Sequence, residues 1–270
     1  MTDLDYEAEY NNRARVPEHP SLMAGWARDA AKYREQHRPR VLSYGPGERN
    51  RIDLFPGSSN GPIVVFIHGG YWQALDGSSF SHCARGLNAH GISVAVPSYD
   101  LCPAVTVDDI IIQMQMASRE LIKFGHPLVV SGHSAGGHLA ACMLATDWRA
   151  FDASLLKNPV SAAYAISGLF DLPPLVGTSI NKALRLDQAS AKAASPLFWT
   201  PPTHGSLDAV VGGNESTEYF RQSRTMVESW SRAIATRFGT VADANHFTAI
   251  APLADPNSAM VLRLKELARG

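Results

Sequence analysis

Cysteine is scarce. The 270 residues carry three, Cys83, Cys102 and Cys142, widely spaced and with no Cys-x-x-Cys pair, which excludes a disulfide framework and leaves them as reduced, mostly buried thiols. Long apolar runs are absent too, since stretches such as Ile63 to Ile67 fall far short of the roughly 20 residues that span a bilayer. Net charge is close to zero, with 24 Lys and Arg against 25 Asp and Glu, so nothing favours a nucleic acid or an anionic membrane as partner. The N-terminus is acidic and polar from Asp3 to Glu7, without the basic-then-apolar order of a secretory signal, and cytoplasmic location is the expectation. Internal repeats, low-complexity tracts and dividing linkers are missing as well, and a single domain over 1–270 is expected.

What is present is an alternation. Apolar residues make up 45% of the chain, enough for a full core. Short apolar runs at 63–67, 92–96, 128–130, 163–166, 207–211 and 236–241 alternate with helical patterns. Runs that are apolar throughout are buried on both faces, so the expected class is α/β, a mostly parallel central sheet flanked by helices. Arg51 to Phe55 alternates like a half-buried strand, and residues 56–62, rich in Pro and Gly, read as a turn. Ahead of the sheet, residues 1–40 form an N-terminal helical cap, with an amphipathic helix from Ser21 to Gln36 turning Leu22, Trp26 and Tyr33 to one side. Ser216 to Ile234 reads as a helix with Ser216 as N-cap and Glu218 in its first turn. Residues 172–199, two prolines followed by an alanine-rich run, exceed an ordinary connection and read as a lid insertion.

Gly132-His133-Ser134-Ala135-Gly136 fits Gly-x-Ser-x-Gly between an apolar run and a helical pattern, the context in which a strained turn exposes a nucleophilic serine, here Ser134. Some 60 residues earlier, the run Ile63 to Ile67 ends in His68-Gly69-Gly70-Tyr71-Trp72. Acyl transfer puts negative charge on the carbonyl oxygen, and the backbone N–H groups of Gly70, Tyr71 and Ala135 are the candidate donors for that oxyanion. His68 is read as structural, bonding loop backbone. A serine nucleophile needs a base, and His138, His204 and His246 lie downstream. His138 is too local and His204 precedes a strand, whereas His246 follows the last strand-like run and is taken as the base. The acid candidates are Asp171, Asp208, Glu215 and Asp243. Glu215 is preferred because it follows a strand's C-terminal end, where ligand sites of open α/β sheets gather. Tyr71 and Trp72 are expected to line the substrate pocket, with Tyr44, Phe170 and Trp199 as further aromatic candidates. No His-x-x-x-His pair with a companion Glu exists, so no metal or other cofactor is expected.

The segments His68 to Trp72, Gly132 to His138 and Asn245-His246-Phe247 resemble the α/β-hydrolase superfamily. Within it they look like the kynurenine formamidase (arylformamidase) and small-carboxylesterase branch, as do Tyr10 to Arg13, Tyr99 to Pro103, Ser167 to Leu172 and Glu215 to Ser223. The resemblance implies a metal-independent serine hydrolase with Ser134, Glu215 and His246 as triad, although such enzymes more often carry Asp as the acid. It also implies a small aromatic amide or ester as substrate and a place in tryptophan catabolism. The alternatives are a general short-chain carboxylesterase and a non-catalytic ligand-binding receptor on the same fold; any self-association is expected to be a homodimer.

Overall fold

The computed structural model describes residues 4–58 and 61–270. Its frame is one eight-stranded sheet. In chain order the strands are β1 (Arg40–Ser43), β2 (Arg51–Phe55), β3 (Ile63–Ile67), β4 (Ser93–Pro97), β5 (Leu128–His133), β6 (Val160–Ile166), β7 (Ser206–Gly212) and β8 (Ala235–Val241). Their spatial order is β1-β2-β4-β3-β5-β6-β7-β8, antiparallel at β1–β2 and β2–β4 and parallel from there on. The architecture is thus the expected mostly parallel α/β sheet. The central strands β3 and β5 are buried at every residue, because helices cover both faces and an apolar run satisfies both at once.

One face packs the helices Val107–Ile122, Ala135–Ala145 and Thr217–Trp230 through Ile110, Met114, Leu139 and Met226. The other packs the helices His19–Gln36 and Ala259–Arg269 through Tyr33, Val261 and Leu264. Pro20 sits in the first turn of His19–Gln36, where its missing N–H leaves no gap in the ladder. Trp26 and Tyr33 pack on Phe80 and Phe55, so this amphipathic helix covers the sheet as its pattern indicated. Among the described residues no helix is long and apolar enough to cross a membrane. All three cysteines are free and buried.

Strand β1 was not legible in the sequence: it is an exposed edge, held by pairing to β2 rather than by an apolar face. The turn expected at 56–62 falls partly outside the described residues, which omit 59 and 60. Residues 172–199 form four short helical turns, Pro173–Gly177, Asn181–Leu184, Gln188–Ala193 and Pro196–Phe198. The helix after β7 ends at Trp230 rather than Ile234, and Ser216 occupies its N-cap without making a side-chain cap bond. The cap comes from the other end of the chain. Glu9 Oε2 accepts from the Glu218 N–H at 2.9 Å and from the Thr217 hydroxyl at 2.8 Å, while the buried Ser216 Oγ has no partner among the described residues.

This remote cap makes two substitutions behave oppositely. Glu9→Ala should lower stability by about 0.5–2 kcal/mol, as loss of an N-cap does, whereas Ser216→Ala should be neutral or slightly stabilising. Urea midpoints of the two variants check the contrast.

Candidate active site

Ser134 sits between β5 and the helix Ala135–Ala145 with φ +56° and ψ −118°, a conformation non-glycine residues rarely adopt. The bend is held from both sides. The Ser134 N–H donates to the Ile166 carbonyl of β6 at 2.8 Å, and the Ser134 carbonyl accepts from Gly137 and His138 at 2.9 and 3.1 Å. Gly136 has to be glycine, since a Cβ there would lie 1.9 Å from the Ile67 carbonyl oxygen at the end of β3. Ala135 is the first helical residue, so its N–H has no intrahelical partner.

Beside the elbow, the β3 end turns through Gly70, Tyr71 and Trp72, all at positive φ. At Gly70 (φ +111°) a Cβ would meet the Ala74 carbonyl oxygen at 2.3 Å, so only glycine fits. The strain at Tyr71 and Trp72 is offset by fixed contacts: the Trp72 carbonyl accepts from the Cys102 N–H at 2.8 Å, and the Tyr71 hydroxyl donates to the Tyr10 carbonyl at 2.7 Å. Among the described residues the N–H groups of Gly70 and Tyr71 have no hydrogen-bond partner. His68 is fully buried and stacked on Tyr99 at 4.2 Å, its Nδ1 against the Gly69 carbonyl at 2.7 Å, which is the structural place expected of it.

His246 follows β8 in a turn that Asn245 organises, Asn245 Oδ1 accepting from the N–H groups of Phe247 and Thr248 at 2.9 and 3.0 Å. His133 donates from Nε2 to the His246 carbonyl at 2.9 Å and is held neutral, its pKa pushed well below the usual range by burial first and then by its histidine neighbour. The His246 Nδ1 lies 2.7 Å from Glu215 Oε2. Glu215 Oε1 accepts from the Gly212 N–H at 2.7 Å and from the Ser167 hydroxyl. The longer arm of Glu therefore ends where backbone and hydroxyl donors fix it. Of the other acids, Asp171 pairs with Arg221 at 2.8 Å and Asp208 with Arg263 at 2.8 Å, and neither these nor Asp243 bonds His246. His138 bonds the Ala194 carbonyl at 2.7 Å.

Ser134 and His246 open together into a cavity of about 460 Å³ that Asn12, Arg13, Trp26, Gly70, Tyr71 and Phe247 also line. Tyr71 faces it as expected; Trp72 does not. The Trp72 ring is fully buried and packs edge-on against His138 at 5.0 Å, because the positive φ of both residues sends consecutive side chains in different directions. Tyr44, Phe170 and Trp199 do not line the cavity either. Two residues to which the sequence assigned no role, although they fall in the family-like segments Tyr10 to Arg13 and Glu215 to Ser223, meet beside the site. The Tyr219 ring lies 4.8 Å from that of His246, and Asn12 Nδ2 donates to the Tyr219 hydroxyl at 2.8 Å. No motif carries a position set by a helix docking 200 residues away. No group of three or more His, Cys, Asp or Glu among the described residues is arranged to hold a metal ion.

The chain is 31% identical to a kynurenine formamidase of Danio rerio over 228 residues, which cover 80% of this chain and 77% of that one. It is 32% identical to a kynurenine formamidase of Drosophila melanogaster over 199 residues, 68% of this chain and 65% of that one. An isoprenylcysteine alpha-carbonyl methylesterase of Arabidopsis thaliana is 30% identical over 179 residues, 60% of this chain and 42% of that one. Among solved structures, a candidate thioesterase of Silicibacter sp. TM1040 superposes with a TM-score of 0.84 at 35% identity, covering 99% of this chain and 100% of that one. An esterase of Pyrobaculum calidifontis superposes at 0.70 and 17% identity, covering 93% and 92%, and shares the fold. No protein-family model matches the chain.

Two outcomes follow from the geometry. Glu215→Gln should cost about 10² to 10⁴ in kcat by removing the charge at His246 Nδ1, while Asp171→Asn, directed at Arg221, should cost far less; a reversed order in steady-state kinetics would relocate the acid. Burial holds the pKa of His68 and of His138 down at about 4, against a usual value of 6.5. The unfolded chain therefore binds more protons than the folded one below the usual value, so stability should fall as pH drops from 6.5 toward 4. Urea midpoints measured above the carboxylate range, between about pH 6.5 and 5, should already decline.

Proposed function

The chain belongs to the kynurenine formamidase family, and on that premise we propose that it removes the formyl group of N-formylkynurenine, giving kynurenine and formate. Ser134, His246 and Glu215 are its proposed triad. The observation that carries this reading is the His246 ring, fixed at Nδ1 by Glu215 at 2.7 Å while sharing a cavity with the strained Ser134. Glu215 holds the tautomer with the proton on Nδ1, which leaves Nε2 as the base, and its charge stabilises the cation that forms.

In the forward step the Ser134 Oγ bonds to the formyl carbon as its proton passes to His246 Nε2 and the carbonyl electron pair moves onto oxygen. The N–H groups of Gly70, Tyr71 and Ala135 meet that charge, and their lack of other partners supports the role. Collapse breaks the C–N bond, and the proton on His246 goes to the departing arylamine nitrogen. Water then repeats the sequence on the formyl ester, releasing formate and restoring Ser134. Tyr71, Trp26 and Phe247 supply flat apolar surface suited to an aryl leaving group, and a cavity of about 460 Å³ is of the size that takes such a molecule.

The likeness to a candidate thioesterase over 99% of the chain favours a second reading, a general short-chain esterase. Side-by-side kcat/KM values for N-formylkynurenine and for 4-nitrophenyl esters of two to eight carbons separate the two. On the formamidase reading the formamide should be the better substrate and octanoyl esters at least about tenfold worse than acetyl. Ser134→Ala should abolish all of these activities together, by roughly 10⁴ to 10⁶ in kcat. Faster cleavage of octanoyl than acetyl esters would sink the formamidase reading.

A further inference from the structure

Asn12 belongs neither to the proposed triad nor to the oxyanion loop, yet its side chain is buried and faces the same cavity as Ser134. Its orientation follows from proton accounting. The Tyr71 hydroxyl donates to the Tyr10 carbonyl at 2.7 Å, because a carbonyl can only accept. Tyr71 and Tyr219 lie 2.7 Å apart, so with the Tyr71 proton committed it is Tyr219 that donates to Tyr71. Neither hydroxyl then has a proton left for Asn12, and both can only accept from it. Asn12 Nδ2 meets them at 2.8 Å (Tyr219) and 3.3 Å (Tyr71). That fixes the amide with Oδ1 turned the other way. Oδ1 accepts no hydrogen bond among the described residues, and it is not one of the polar atoms sealed from solvent.

We infer that Asn12 Oδ1 accepts the N–H of the scissile amide and makes the site selective for amides over esters, an inference resting on Ser134, His246 and Glu215 acting as proposed. An amide leaving group carries an N–H where an ester carries an oxygen without hydrogen. As Ser134 Oγ bonds to the carbonyl carbon, the nitrogen becomes pyramidal, and its lone pair has to face His246 Nε2 to receive the proton when the C–N bond breaks. Its N–H then points away from His246, and an acceptor there holds the nitrogen in the productive orientation. Tyr219 lies against the His246 ring, so Asn12, bonded to the Tyr219 hydroxyl and lining the cavity that Ser134 and His246 share, stands on the side where the leaving group is protonated. The buried tyrosine pair keeps that acceptor from turning aside.

The test compares an aryl formamide with the formate ester of the same ring, corrected for spontaneous hydrolysis, on the intact enzyme and on Asn12→Ala, with rates expressed per site titrated by an organophosphate. Asn12→Ala should lower the amide kcat/KM about 10- to 100-fold, chiefly in kcat, and leave the ester within about threefold. A parallel fall of both substrates would reduce Asn12 to a support for Tyr219 and overturn the inference, as would an unchanged amide rate. Should the variant fail to fold, Asn12→Ser, which keeps a small polar side chain beside Tyr219 but lacks the amide oxygen, is assayed on the same pair: a fall in the amide without a fall in the ester is expected, and equal effects on both refute the role. An enzyme that cleaves the ester but no aryl formamide at all would instead sink the proposed function, and Asn12 with it.

Discussion

The Glu215 carboxylate is sealed from water, with none of its side chain exposed, and the site is organised around meeting that charge. A buried carboxylate is tolerable only when its lone pairs are satisfied. Here the donors come from three strand ends: the Ser167 hydroxyl just past β6, the Gly212 N–H at the end of β7, and His246 Nδ1 after β8. Because parallel strands present all their C-terminal ends on one edge, a single side chain can tie three of them together. The same edge carries the elbow at the end of β5 and the glycine loop at the end of β3, so a register slip in any of these strands would break the cluster.

A second set of contacts draws the N-terminal segment onto this edge. Glu7 accepts from the Ser179 N–H and hydroxyl at 2.7 Å each, Glu9 caps the helix Thr217–Trp230, and the Tyr10 hydroxyl donates to the buried Glu218 at 2.7 Å while accepting from Gln222 at 2.6 Å. Gln222 in turn accepts from the N–H groups of Phe170 and Asp171, joining the loop after β6 to the same helix. The cavity is thus walled by residues at opposite ends of the chain. Its N-terminal wall mixes polar residues such as Asn12 and Arg13 with the apolar Met23 and Trp26, and the elbow and the glycine loop lie across from it.

Where physical pattern is local, the sequence was legible. The apolar runs of β3 and β5, the Gly-x-Ser-x-Gly turn and the histidine after β8 each announce themselves within a few residues, because burial on both faces, a strained turn and a loop end have short-range signatures. The N-cap at Ser216 was right in place and wrong in chemistry, since nothing near position 216 foretells that Glu9 will take over the bond. Strand β1 escaped because an exposed edge needs no apolar periodicity. Trp72 was misplaced because two consecutive residues at positive φ send their rings to opposite surroundings, and only the loop's closure decides which one reaches the cavity.

By itself, then, the chain's order determined the sheet class, the elbow serine, the glycine loop and the histidine that follows the last strand. These depend on hydrophobic burial and backbone conformation, which act between neighbours in sequence. Tertiary structure alone decided which acid reaches His246, which aromatic rings face the cavity, and how Asn12 comes to share it with Ser134. Those outcomes depend on hydrogen bonds between groups far apart in sequence, 31 residues for Glu215 to His246 and 207 for Asn12 to Tyr219, and such bonds leave no trace in local pattern because each partner is an ordinary polar residue until the fold brings the other within 3 Å.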